Sequence, residues 1–440
     1  MVKTCATWLL ATLLLWTLAA TAAAGAPAVR RGAPVSAHAM VHTCCTPPAM
    51  KERIFAEAKA MGARFIRVDV ELSGIFGAGA PDWARLDDVL ELSRRYELPV
   101  LGILMSPPGS PAPPDPGEFG RMAGEVAAHA RGTVAHWEVL NEPDGTWGWN
   151  GTAEDYARLL RAAHDAIAAR APEAQIALGG LMSPDDRRWL ERVFATPGAD
   201  ALHAFDIANV NLRDAAYRLG PRLARWRGWL ARQGFTGPVW VTETGYPADP
   251  AHQRDPAFVG GEGAQAAFLI ESVLSLAEAG AAEVFVTLRD NLWGLFLTEG
   301  VITIGDQPPY AVRRKPAFAA MRRMVDSWDR LVALRLEQRA HEEASRRMRA
   351  QAAPWARKAR ALRPRVRVAK LRLAMLRARH RNAVPGARPR LARRISRADG
   401  RLRRRRTELA WISAVAADYR RRAASHRLHA ASVAASIAGR

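Results

Sequence analysis

Two short stretches carry carboxylates in matching settings. The apolar run from His136 ends in Asn141-Glu142-Pro143, and the run from Val239 ends in Thr242-Glu243, just before Gly245-Tyr246-Pro247. Proline has no N–H to give to a ladder, so Pro143 is read as the residue that stops the first run. Each glutamate is thereby presented at the carboxyl end of a strand. Cleaving a glycosidic bond takes two such carboxylates, one to protonate the departing oxygen and one to attack carbon or activate water. The donor must keep its proton near neutral pH while its partner is ionised, so their surroundings have to push the two pKa values apart.

Elements able to hold such a pair recur along the chain. Apolar strands are predicted at Val35–His42, Arg64–Val70, Pro99–Met105, Val134–Asn141, Gln175–Leu181, Phe205–Asn211, Val239–Thr242 and Glu283–Leu288. Amphipathic helices are predicted between them, at Ala49–Met61, Ala84–Tyr96, Pro116–Ala130, Ala153–Ala171, Asp185–Phe194, Pro221–Gln233 and Gly263–Ala279, with Pro316–Val325 closing the series. Eight strand–helix units over residues 35–330 imply an α/β fold, a closed (β/α)8 TIM barrel. No Gly-rich phosphate fingerprint follows the first strand, which argues against a nucleotide-binding sheet. Glu142 and Glu243 lie about a hundred residues apart, three units at the barrel's pitch of roughly 30 to 35 residues. Both therefore reach the same rim.

Asn141-Glu142-Pro143 ending strand four and Thr242-Glu243 ending strand seven resemble the glycoside hydrolases of clan A, with families 5 and 39 nearest. The resemblance covers about residues 35–325 and implies a retaining enzyme acting on β-glycosidic bonds without a cofactor or metal. It implies Glu142 as acid/base, Glu243 as nucleophile, Asn141 on the sugar 2-hydroxyl and Arg67 as the strand-two arginine that orients the nucleophile. Trp293 would be the floor under the reacting sugar. His42 after strand one, Tyr246 after strand seven and Trp147 in the Gly-rich loop after Glu142 are further candidate substrate contacts. After strand six the clan often shows a His or Tyr where this chain has Ala208-Asn-Val-Asn211-Leu-Arg213. Asn211 could supply a hydrogen bond there. The departure keeps a second reading open, a catalytically silent barrel that binds carbohydrate or cell envelope.

Charge separates a second region. Residues 331–440 carry 31 of the 64 Lys and Arg but 6 of the 43 acidic residues, within an overall net charge of +21. This Arg-rich extension reads as helical, divided by Pro354, Pro364, Pro385 and Pro389. Ile395, Leu402 and Leu409 step by seven, as do Ile412 and Tyr419, suggesting a coiled-coil or hairpin seam. Residues 1–25 read as an export signal: Lys3, an apolar core from Trp8 to Leu18, then small residues to Ala24. An exported basic surface suits an anionic envelope polymer or anionic lipid, and export argues against nucleic acid. Three cysteines exclude a disulfide framework. Adjacent Cys44 and Cys45 fit free thiols or a vicinal bridge better than zinc with His38 and His42.

Overall fold

The computed structural model describes residues 32–77, 79–106, 113–145, 150–290 and 297–438. The proposed export signal, Trp147 and Trp293 lie outside the described residues. The chain forms two compact units that meet between Trp328 and Asp329.

The first unit is a TIM barrel. Its parallel strands are β1 (Val35–His42), β2 (Ile66–Glu71), β3 (Val100–Met105), β4 (His136–Val139), β5 (Gln175–Ala177), β6 (Ala208–Asn211), β7 (Val239–Thr244) and β8 (Ala281–Thr287). They pair in the order β5-β4-β3-β2-β1-β8-β7-β6. Single bridges Ala177–Ile207 and Leu181–Val210 join the two ends of that order, so the ring closes. The intervening helices start where the sequence supplies acceptors for free N–H groups. Asp115 accepts from the Glu118 amide, and Thr152 with Asp155 makes a reciprocal capping box.

Side chains alternate between the faces of a strand, and here the alternation separates two layers inside the barrel. Leu101, Ala177, Ile207, Trp240 and Phe285 pack together with Phe65, an apolar plug assembled from six strands or their leading residues. Two residues further toward the carboxyl ends stand Arg67, Asn209, Thr242 and Thr287, all buried and all polar. Hydrophobic burial thus holds up a polar layer, and the rim residues stand on that layer.

Several elements depart from expectation. Regular pairing of β4 stops at Val139, not at Pro143, because Leu140 (φ 62°) and Glu142 (φ 47°) take left-handed backbone. Such geometry costs about 1–3 kcal/mol per non-glycine residue. It persists because Leu140 N donates to Leu104 O, Glu142 N to Gly180 O and Gly145 N to Glu142 O. Strand β5 is three residues long rather than seven. The helix before β7 begins at Ala216 and contains Pro221 instead of starting there. An antiparallel hairpin, Ile302–Ile304 with Val312–Arg314, follows β8 where none was expected. Cys44 and Cys45, by contrast, are joined in a vicinal disulfide, one of the two states expected of them.

The second unit is a helical hairpin of Trp328–Arg381 and Arg388–Ile437, turning through Pro385–Ala387. Pro354 and Pro364 do not divide the first helix. Both are exposed, as are Ala350 and Arg360 four residues earlier, so the carbonyls that lose a partner face water. Pro389 sits in the first turn of the second helix, where its missing N–H is unneeded. Ala416, Ala423, Ala430 and Ile437 are buried at seven-residue steps, with buried Leu402 two steps before them. They belong to a seam in which Ile412 meets Ala359 and Leu362, and Leu402 meets Leu373.

Candidate active site

Arg67 is 1% exposed and organises the site. Its Nε and Nη2 donate to the two oxygens of Glu138 at 2.8 and 2.7 Å. Nη2 also donates to Asn141 Oδ1 at 2.8 Å, and Nη1 to Glu243 Oε1 at 2.7 Å. A planar guanidinium bound on every edge has one orientation. One side chain from β2 therefore fixes the strand-four and strand-seven residues together.

Glu243 owes its direction partly to a register shift. Val210 pairs with Val241 but Asn211 with Glu243, so Thr242 is an extra residue in β7, a bulge of the kind that re-aims side chains. Its second oxygen, Oε2, accepts from Arg213 Nη1 at 3.0 Å. Arg213 Nε also contacts both oxygens of buried Glu299 at 3.2 Å. Across the rim, Asn211 Nδ2 donates to Glu142 Oε1 at 2.9 Å, while its own Oδ1 accepts from Thr242. Gly180 leaves room for this arrangement: a Cβ there would stand 2.8 Å from Asn211 Oδ1 and 3.1 Å from Glu138 Oε1.

The electrostatics separate the two glutamates. Burial and the negative charge of Glu243 raise the pKa of Glu142, against the Asn211 hydrogen bond. Burial opposes the charge of Glu243, but His38, Arg213 and Arg67 outweigh it and hold this carboxyl well below the usual range. Burial drives His38 itself down to about 3, so at neutral pH that ring is uncharged and the two arginines supply the field. The two pKa values are thus pushed apart, Glu142 upward and Glu243 downward, the direction of separation that acid-assisted nucleophilic substitution requires.

A smaller group lies along β2. His42 Nδ1 contacts Glu71 Oε1 at 2.8 Å and Asp69 Oδ2 at 3.2 Å. Burial lowers its pKa, but these carboxylates more than offset that and raise it overall. Burial pushes Asp69 up to about 6, against the pull of His42 and Arg67.

Of the residues singled out in the sequence, Glu142, Glu243, Asn141, Arg67 and Asn211 are brought into one bonded network. His42 is engaged with the neighbouring carboxylates. Tyr246 is a correction: it is buried, stacks on Phe268 and spends its hydroxyl on Phe258 O and the Asp255 amide, bracing the loop after β7. Just after β8, Arg289 and Asp290 serve the framework, on the carbonyls of Ala39 and Met40 and on Lys315. Sequence reasoning missed Arg213, Glu138, His38 and Glu299. Glu138 was within reach, since it lies four residues before Glu142 as an acid inside an apolar strand. Glu299 had no local signal, being isolated beyond β8.

No family model matches the sequence, and no curated protein does. Solved structures do. A family 39 glycoside hydrolase from the gut symbiont Bacteroides cellulosilyticus WH2 aligns at TM-score 0.50 and 14% identity, over 65% of this chain and 63% of that one. A glucosidase from Croceicoccus marinus aligns at 0.51 and 14%, over 68% of each chain. A conserved exported protein from Bacteroides fragilis aligns at 0.52 and 13%, over 67% and 79%. This chain thus spans less than two thirds of the first of these proteins. At such identities the likeness establishes the barrel fold.

Proposed function

We propose that this chain is a secreted, retaining glycosidase acting on β-glycosidic bonds of a poly- or oligosaccharide. The observation that carries the reading is Glu243 held ionised by Arg67 and Arg213 on the same rim as Glu142, whose pKa burial and the charge of Glu243 push upward. Glu142 gives its proton to the glycosidic oxygen as the bond from C1 breaks, and a Glu243 oxygen forms a new bond to C1. Glu142, now a carboxylate, takes a proton from water, whose oxygen displaces Glu243 and releases the sugar with retained configuration. Arg67 and Arg213 stay bound throughout and stabilise Glu243 when it departs. Asn141 is placed by Arg67 to meet the sugar beside C1. Residues 1–25 are read as the export signal, and the exposed arginines at 401 and 403–406 as a surface for an anionic envelope polymer or lipid. Among the described residues no helix is long and apolar enough to cross a membrane.

The experiment is turnover of a panel of aryl β-glycosides with proton NMR of the first product. Retained anomer, and its loss in Glu243→Ala with rescue by azide, support the proposal; inverted anomer overturns the retaining mechanism. One observation favours a silent, sugar-binding barrel: each oxygen of Glu243 accepts from a guanidinium, which competes with attack on carbon. Sugar binding without turnover across the panel would establish that reading instead.

A further inference from the structure

The seam of the helical hairpin is apolar near its turn and changes character toward its open end. There, one helix presents Glu337 and His341, one turn apart, and the other presents His426 and His429. His429 Nε2 stands 3.3 Å from Glu337 Oε1, and the His341 and His429 rings are 4.2 Å apart. Glu337, His341 and His429 each offer a ligand atom, and these atoms lie within 4.8 Å of one another. His341 Nδ1 meets His426 Nδ1 at 3.0 Å, which leaves His341 its other nitrogen.

We propose that Glu337, His341 and His429 bind a divalent late transition metal of the zinc class, with His426 positioning His341. Ligand atoms about 2.0–2.1 Å from a tetrahedral ion stand about 3.3 Å from one another, the spacing already present between Glu337 and His429. Two imidazoles and a carboxylate select zinc, nickel, cobalt or copper over magnesium and calcium, which take oxygen. A ligating histidine held through its second nitrogen has a fixed ring orientation, and the His426 contact supplies that. The surroundings support the assignment: Ser345, one turn on, spends its hydroxyl on Ala423 O, so it fixes the helices without competing for the ion. Polar rings at the edge of a largely apolar seam give up packing, and a shared ion is a compensation that this geometry provides. The clip would join the two helices at the end remote from their turn, closing a loop of about ninety residues, where a cross-link restricts the unfolded chain most.

The test uses the full chain made without a polyhistidine tag. Zinc alone is titrated by calorimetry and cobalt by visible absorption, with thermal melting of the helical signal alongside. Expected are saturable binding of one ion per chain, tetrahedral cobalt bands and a melting temperature that rises with zinc. His341→Ala, His429→Ala and Glu337→Gln should each weaken binding at least about tenfold with unchanged helicity. His426→Ala should weaken it while keeping the cobalt bands. All four positions are exposed or half-buried, so the variants retain the fold. Absence of saturable binding in the wild-type chain, or variants that bind as it does, would overturn the proposal.

Discussion

Arg213 stands 3.0 Å from Glu243 Oε2, on the oxygen opposite to the one Arg67 holds, and among the described residues no other gives this carboxylate a second cation charged at neutral pH. The depressed pKa of Glu243 therefore depends on two arginines, one in β2 and one just past the end of β6. Replacing Arg213 by Gln is expected to raise that pKa. Activity that needs ionised Glu243 then loses its acidic side, and the acidic limb of the kcat/KM profile moves to higher pH. The same change leaves buried Glu299 without its cation and destabilises the fold by about 3 kcal/mol, read by chemical denaturation at pH 7.

Asn211 acts on the other glutamate. Its hydrogen bond favours the charged form of Glu142, so Asn211→Ala should raise the Glu142 pKa further. A pH–rate profile would show the basic limb displaced upward while the acidic limb stays in place. Displacement of both limbs together would mean that Asn211 acts on the whole network.

Asp69 links stability to pH. Its carboxyl titrates at 3.8 in the free chain and about 6 in the fold, so its contribution to stability is fully present below the lower value and disappears as pH rises through the upper. Asp69→Asn removes this titration. Its unfolding free energy relative to wild type, read by chemical denaturation, should improve between pH 4 and 7 by an amount on the order of 2–3 kcal/mol.

Gly180 is required by its neighbours. Alanine would bring Cβ within 2.8 Å of Asn211 Oδ1 and 3.1 Å of Thr242 Oγ1. The expected loss is about 1–3 kcal/mol of stability, with a fall in kcat larger than any change in KM, because the displaced groups orient the glutamates. Steady-state kinetics at a temperature where the variant is folded would check this.

Much of this arrangement was legible in advance. Strand β1 matches residue for residue, and alternating apolar strands with amphipathic helices specified the barrel. Asn141, Glu142, Glu243 and Arg67 could be found because each ends or lines a strand whose period is plain. Arg213 was visible as a residue but not as a partner, since its contact with Glu243 needs the bulge at Thr242 that no local preference announces. Tyr246 misled through its place in a Gly-Tyr-Pro turn; only the packing of Phe268 shows which way the ring goes. The prolines of the extension misled in the opposite sense. Proline breaks a helix when the freed carbonyl is buried, and whether Pro354 and Pro364 face water depends on a seam set by the partner helix.

The plug of Phe65, Leu101, Trp240 and Phe285 has a kinetic corollary. With one end of the cylinder stoppered by hydrocarbon, everything must enter and leave through the opposite mouth. In the proposed reaction the departing fragment and the incoming water would share that doorway, so the order of release and hydration would be imposed by the architecture and not by affinity alone.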